Sequence, residues 1–112
     1  MAQIIVSESL KEEIFSNFKE DSSNVFRLMK SLENNPYRGK ALGTVGGIII
    51  KELKYGKFRF YFITDGHVLK FETEDELSNL LIKFVRMSEK KDQQKIINNI
   101  KSILKSLGFE SM

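Results

Sequence analysis

The chain has 112 residues, a net charge of +3 and 41% hydrophobic residues, enough for one packed core and too apolar for a disordered chain. It has no cysteine and a single histidine, which excludes disulfides, thiolate metal sites and thiol chemistry, and leaves only carboxylates to build a metal site. No run of about 18 apolar residues is present, and MAQIIVSESL reads as a strand and a helix cap instead of a leader, so a cytoplasmic protein without membrane contact is expected.

Residues 3–6 are a candidate first strand. Ser7 is a good N-cap for a helix reaching about Lys19, with Leu10, Ile14, Phe15 and Phe18 on one face and acidic residues in its first turn. Asp21-Ser22-Ser23-Asn24 breaks that helix. A second follows, with Val25, Phe26, Met29 and Leu32 as its buried stripe, and it stops at Asn34-Asn35-Pro36 because the residue before a proline is pushed out of the α region. Residues 37–47 contain four glycines and read as a flexible connector; GKALGTVGG lacks the ending and the following helix of a Walker-type phosphate loop.

Residues 46–71 are the centre of the chain. Ile48, Ile49 and Ile50 are β-branched, Phe58, Phe60 and Phe62 alternate with Arg59, Tyr61 and Ile63, and Tyr55-Gly56 and Asp65-Gly66 supply turns. A three-stranded antiparallel meander follows, with the phenylalanines on a core face and Arg59 and Tyr61 on an outward, basic face. Further on, Thr73-Glu74-Asp75-Glu76 resembles a capping box, and the spacing of Leu77, Leu80, Leu81, Phe84 and Val85 predicts a helix over 74–87, against a competing strand at 81–87. Ser88 can cap a last helix with Ile96, Ile97, Ile100, Ile103, Leu104 and Leu107 in its stripe and Gly108 as its stop.

Charge is unevenly placed. Residues 36–59 carry a local +5 and residues 60–85 a local −3, so the hairpin attracts polyanions such as RNA unless its cations merely keep an exposed face soluble.

KELKYGKFRFYF resembles the signature hairpin of the RelE/ParE/HigB superfamily of toxins from toxin–antitoxin modules. The matched residues are Lys51, Glu52, Leu53, Lys54, Gly56, Phe58, Arg59 and Tyr61; LENNPYRGKALG at 32–43 is similar to the family's connection from helical hairpin to sheet, and IKFVRMSEKK to its late strand with a basic end. The resemblance implies an α+β, RelE-like single domain over 1–112: an N-terminal strand and two-helix hairpin packed on a small antiparallel sheet, with C-terminal helices. It further implies a metal-independent messenger-RNA endoribonuclease acting on the ribosome, without cofactor, held inactive by a cognate antitoxin. The alternative is a non-catalytic member acting by protein or nucleic-acid binding, as a gyrase-type toxin or adaptor does.

Such a reaction needs preorganised cations around one phosphate and groups that move protons at the attacking and leaving oxygens. Lys54, Arg59 and Arg86 are the candidate catalytic residues, and Lys51, Lys57, Tyr61, Lys90 and Lys91 the candidate RNA contacts. Arg59 is suited to two oxygens by its planar fork, the competing role being an ion pair with Glu52 across the hairpin. By alternation Lys51 falls with Leu53 and away from Lys54, Tyr61 can stack on a base or pack on the sheet, and Arg86, Lys90 and Lys91 can be solvated junction charges. His67 has no partner set by spacing and reads as a surface residue. One departure stands out: family nucleases carry a late Tyr or His in their acid–base set, and beyond Arg86 this chain has neither.

Overall fold

A computed structural model describes residues 2–66 and 80–109 of the protein. Among these residues five strands form one sheet: β1 (Gln3–Val6), β2 (Lys40–Val45), β3 (Ile48–Tyr55), β4 (Phe58–Asp65) and β5 (Leu81–Glu89), in the order β1-β5-β4-β3-β2. Only β1 and β5 run parallel; β2–β3, β3–β4 and β4–β5 are antiparallel. Among the described residues three α-helices flank the sheet: α1 (Glu8–Phe18), α2 (Ser22–Lys30) and α3 (Gln93–Ser106). The architecture is α+β.

The helical hairpin follows the sequence reading. Ser7 caps α1 by accepting the Leu10 N–H at 3.4 Å, and a 3-10 turn at Lys19–Asp21 leads into α2. Leu10, Ile14, Val25, Met29 and Leu32 are buried against Leu53, Phe60, Phe62, Ile82 and Phe84 of the sheet. Phe15, expected in that stripe, is 57% exposed and rests on Phe26 with ring centroids 5.3 Å apart. Alternation of Phe58, Phe60 and Phe62 sends three large rings to one side, and each fully buried phenylalanine contributes about 2–3 kcal/mol of transfer free energy.

Residues 40–45, expected as flexible connector, are instead the edge strand β2, joined to β3 by Gly46 and Gly47. Both glycines have positive φ, 54° and 85°, which is what a two-residue hairpin turn of the right twist needs and what other residues resist. The β3–β4 turn works similarly: Gly56 at φ 59° precedes Lys57, so Lys54 faces Arg59 and Tyr55 faces Phe58. The third strand of the expected meander, the capping box at 73–76 and His67 all lie outside the described residues.

The helix expected over 74–87 is overturned where it can be seen: 81–89 is strand β5, with Ile82 and Phe84 buried and Leu81 and Lys83 exposed between them. Ser88, expected to cap the last helix, is in that strand, and α3 begins at Gln93 after a 3-10 turn at Lys90–Asp92. A bulge interrupts β5, because Tyr61 pairs with Arg86 while Phe62 pairs with Phe84, leaving Val85 extra. The bulge resets alternation, so Arg86 and Ser88 share the face of Tyr61 and Arg59 while Met87 stays with Phe60.

That second face is covered, not open. α3 lies across it, and Ile100 and Leu104 pack on Val45, Ile50 and Tyr61 in a separate core cluster. The sheet therefore has helices on both sides, which explains why β3 and β4 are apolar on both faces around Ile50 and Ile63.

Candidate nucleic-acid interface

The hairpin register brings Lys54, Arg59, Glu52 and Tyr61 to the α3 side of the sheet, opposite the phenylalanine core, as alternation leads one to expect. Their exposures differ greatly. Lys54 is exposed near the hairpin tip, whereas Arg59 is 8% and Tyr61 0% exposed.

Arg59 is held by protein atoms at two of its three side-chain nitrogens. Its Nη1 donates to the carbonyls of Gly56 at 3.2 Å and Phe58 at 3.0 Å, and its Nε lies 3.9 Å from Glu52 Oε2. Glu52 also accepts a hydrogen bond from the side-chain amide of Gln93 in the first turn of α3. Next to this pair the Tyr61 hydroxyl and Ser88 Oγ are 2.8 Å apart; Ser88 donates to the Glu89 carbonyl, which leaves the phenol as donor between them. Burial raises the pKa of Tyr61, so its phenol stays protonated across the neutral range. Glu52, Arg59, Tyr61, Ser88 and Gln93 thus form a polar cluster beneath the start of α3, and no buried side-chain nitrogen or oxygen among the described residues lacks a partner.

In this arrangement Nη1 and Nε of Arg59 already face protein atoms, and a phosphate shared with Lys54 would have to displace Glu52 and the start of α3. Arg86, half-buried on the same face, donates from Nη1 to the Val85 carbonyl at 2.8 Å. It also favours the ionised form of Glu13 on α1, although burial is the stronger influence and raises the Glu13 pKa above the ordinary carboxyl value.

The remaining candidates divide clearly. Lys51 is not on an open surface at all: 4% exposed on the hairpin-helix side, its Nζ donates to the Tyr37 carbonyl at 2.9 Å and lies 5.8 Å from the Phe62 ring centroid. Burial lowers its pKa from the usual lysine value. It pins the 34–39 connector to the sheet, so an RNA contact is not its place. Lys57 and Lys91 are exposed but both pair with Glu89, at 3.1 and 3.4 Å, while Lys90 is exposed at the same end of the molecule. The two hydrogen-bonded lysines, Lys57 first, hold the Glu89 carboxyl below its ordinary pKa.

Sequence reasoning singled out Glu52 only as a competing partner for Arg59, and missed Ser88 and Gln93 as its neighbours. The first was visible in the hairpin register; the other two depend on the bulge and on where α3 docks, which no local pattern encodes. Among the described residues there is no cluster of three or more His, Asp or Glu side chains able to hold a metal ion, and no helix long and apolar enough to cross a membrane. No protein-family model, curated protein or solved structure matches the chain.

Proposed function

We propose that the chain is the toxin of a toxin–antitoxin pair, of RelE/HigB type, which cleaves messenger RNA on the ribosome without a metal. One observation carries this reading: the β3–β4 register and the β5 bulge collect Lys54, Arg59, Arg86, Tyr61 and Ser88 on a single face of a rigid sheet. The hairpin resemblance, KELKYGKFRFYF, supports it independently. In the reaction a ribose 2′-OH attacks the adjacent phosphorus, the P–O5′ bond breaks, and the products are a 2′,3′-cyclic phosphate and a free 5′-OH. Lys54 and Arg59 would stabilise the charge on the phosphoryl oxygens of one phosphate, Arg86 would hold the flanking backbone, and the Tyr61 phenol or the Glu52 carboxylate is the group available to move a proton.

This function requires the start of α3 to leave the sheet, since Glu52, the carboxylate beside Arg59, is itself bonded to Gln93 of that helix. The covered form is then the resting state, and RNA or the ribosome must favour the uncovered one by its differential affinity. A second reading is favoured by the same closure: an Arg neutralised by Glu52, in a chain without a late Tyr or His, suits a non-catalytic toxin or adaptor of this fold that acts by binding.

Induced expression in a bacterial host, scored for growth arrest and for cleaved messenger, separates the two. Catalysis requires arrest with new messenger ends, lost in Lys54→Ala and sharply reduced in Arg59→Lys, which keeps the charge and loses the fork. Arrest with intact messenger supports a toxin that acts by binding, and absence of arrest contradicts a toxin of either kind and leaves the adaptor. Lys54 is exposed, so its substitution leaves folding unchanged and reports on function alone.

A further inference from the structure

The two edges of the sheet are protected differently. β2, at one end of the strand order, begins at Lys40, carries a bulge between Ala41 and Gly43, and has the Lys101 side chain lying against Gly43. Charge and bulges are what keep a sheet edge from pairing with another chain. β1, at the other end, has neither: it reads Gln-Ile-Ile-Val and pairs with β5 from Gln3 to Val6 without a register shift. Gln3 and Ser7 donate their N–H groups to the Leu80 and Phe84 carbonyls, so the N–H and C=O of Ile4 and Val6 point the other way, along the open edge. Among the described residues no backbone group pairs with them, while Ala2, just before, donates to the Glu33 carbonyl at 3.0 Å. Apolar surface gathers at this edge. Ile5 is 44% and Leu81 45% exposed at diagonal positions on the α3 side, and Ile4 and Val6 are half-buried at the rim of the main core.

We infer that this edge pairs with the same edge of a second copy of the chain, β1 antiparallel to β1 across a two-fold axis at Ile5. The spacing is self-complementary. With Ile5 opposite Ile5 of the second copy, Ile4 falls opposite its Val6 and Val6 opposite its Ile4, and each such pair exchanges both backbone hydrogen bonds. No charge opposes the contact: β1 has none, and Lys83, beside Ile5 on β5, is separated from its counterpart by three strand spacings of about 4.8 Å, farther than the Debye length of about 8 Å at physiological salt. The β2 edge of a second copy fits less well, because its bulge breaks the even spacing of donors and acceptors. Opposite residues of a sheet share a face, so the axis is normal to the sheet and α3 of both copies lies on the same side of it. The pairing is independent of whether the chain cuts RNA, because none of Lys54, Arg59 or Arg86 lies in β1.

The test uses the full chain. Two four-residue strands make a contact of the size of weak, transient interfaces, so sedimentation equilibrium should show a dimer with a Kd of roughly 10–100 µM. Ile5→Lys puts a charge on the edge at an exposed position and should weaken the dimer about tenfold or more, with the circular dichroism of the parent. The chain has no cysteine, so Ile5→Cys carries a single thiol. Opposite, non-hydrogen-bonded positions of an antiparallel pair have Cα atoms about 4.5 Å apart, within the span of a disulfide. Ile5→Cys should therefore oxidise to a cross-linked dimer, whereas Thr44→Cys, exposed on the β2 edge, should remain mainly monomeric under the same conditions. A monomer up to about 1 mM, which would leave the edge to a strand from another protein, a dimer unchanged by Ile5→Lys, or equal cross-linking of the two cysteine variants would each overturn the assignment.

Discussion

The two faces of the sheet are built from the same strands by different physics. On the side of α1 and α2, Leu53, Phe60, Phe62 and Phe84 meet Leu10, Ile14, Val25 and Met29, with Phe62 and Phe84 rings 4.8 Å apart and Phe18 set edge-on against Phe58 at 5.0 Å. On the side of α3, an aliphatic patch around Ile50 and Leu104 shares the surface with Glu52, Arg59, Tyr61 and Ser88. Removing water from an ion pair offsets much of its attraction, so the second interface is weaker per unit area than the first. A small domain that needed only stability would gain from apolar residues in those positions. Retaining the polar ones fits the proposed function, in which this surface opens to meet an anion.

The comparison is broken most severely on the apolar side. Phe62→Ala removes a fully buried ring and should cost about 3–5 kcal/mol, a large part of the total stability of so small a domain; urea unfolding measures it. On the polar side, Glu52→Ala leaves Arg59 buried with two carbonyls as its partners and should cost about 3 kcal/mol. The double variant Glu52→Leu/Arg59→Met should recover most of that loss while abolishing any RNA cleavage, which separates stability from function in a way Phe62→Ala cannot.

A smaller effect isolates the helix. Gln93→Ala removes one hydrogen bond to a carboxylate, worth about 1.5–3 kcal/mol, and its effect should fall on α3 alone. Amide hydrogen exchange is expected to speed up along 93–106 while Phe60 and Phe62 remain as protected as in the parent. Uniform loss of protection would mean that both faces open together and that α3 is simply core.

The smallest effects are electrostatic and have opposite signs. The Glu89 pKa is held low by Lys57 and Lys91, so its contribution is present above the ordinary carboxyl pKa and is lost as pH falls through the lower folded value. The Glu13 pKa is raised by burial, so ionising it opposes folding, and that cost appears as pH rises through the ordinary value and is complete above the folded one. Glu13→Gln should therefore raise the melting temperature slightly at neutral pH and leave it unchanged in acid, whereas Glu89→Gln should lower it slightly at neutral pH with no change in acid.

The apolar face was legible because each signal pointed the same way: a capped α1, a proline stop after α2, and phenylalanines at period two in β4. The other face was legible only in part. Alternation put Lys54, Arg59 and Tyr61 together, but nothing local said that α3 would lie on them, since its isoleucine stripe suits a core helix and a docking helix equally. Strand β5 was read as helix because Leu80, Leu81, Phe84 and Val85 satisfy the helical spacing, while the strand alternation of Ile82 and Phe84 is cut short by the bulge at Val85. The glycines at 39, 43, 46 and 47 concealed β2, whose pairing with β3 is a long-range fact.

The central claim is that the α3 side of the sheet is the working surface. Its most direct test is to incubate purified protein with ribosomes translating one defined messenger and to map the 5′ ends released. The parent should generate new ends carrying a 5′-OH, and Lys54→Ala should do so on the order of a hundredfold or more slowly, the usual loss when one charge-stabilising donor is removed. Intact messenger with the parent protein, or equal cleavage by the parent and by Lys54→Ala/Arg59→Lys, would contradict the claim.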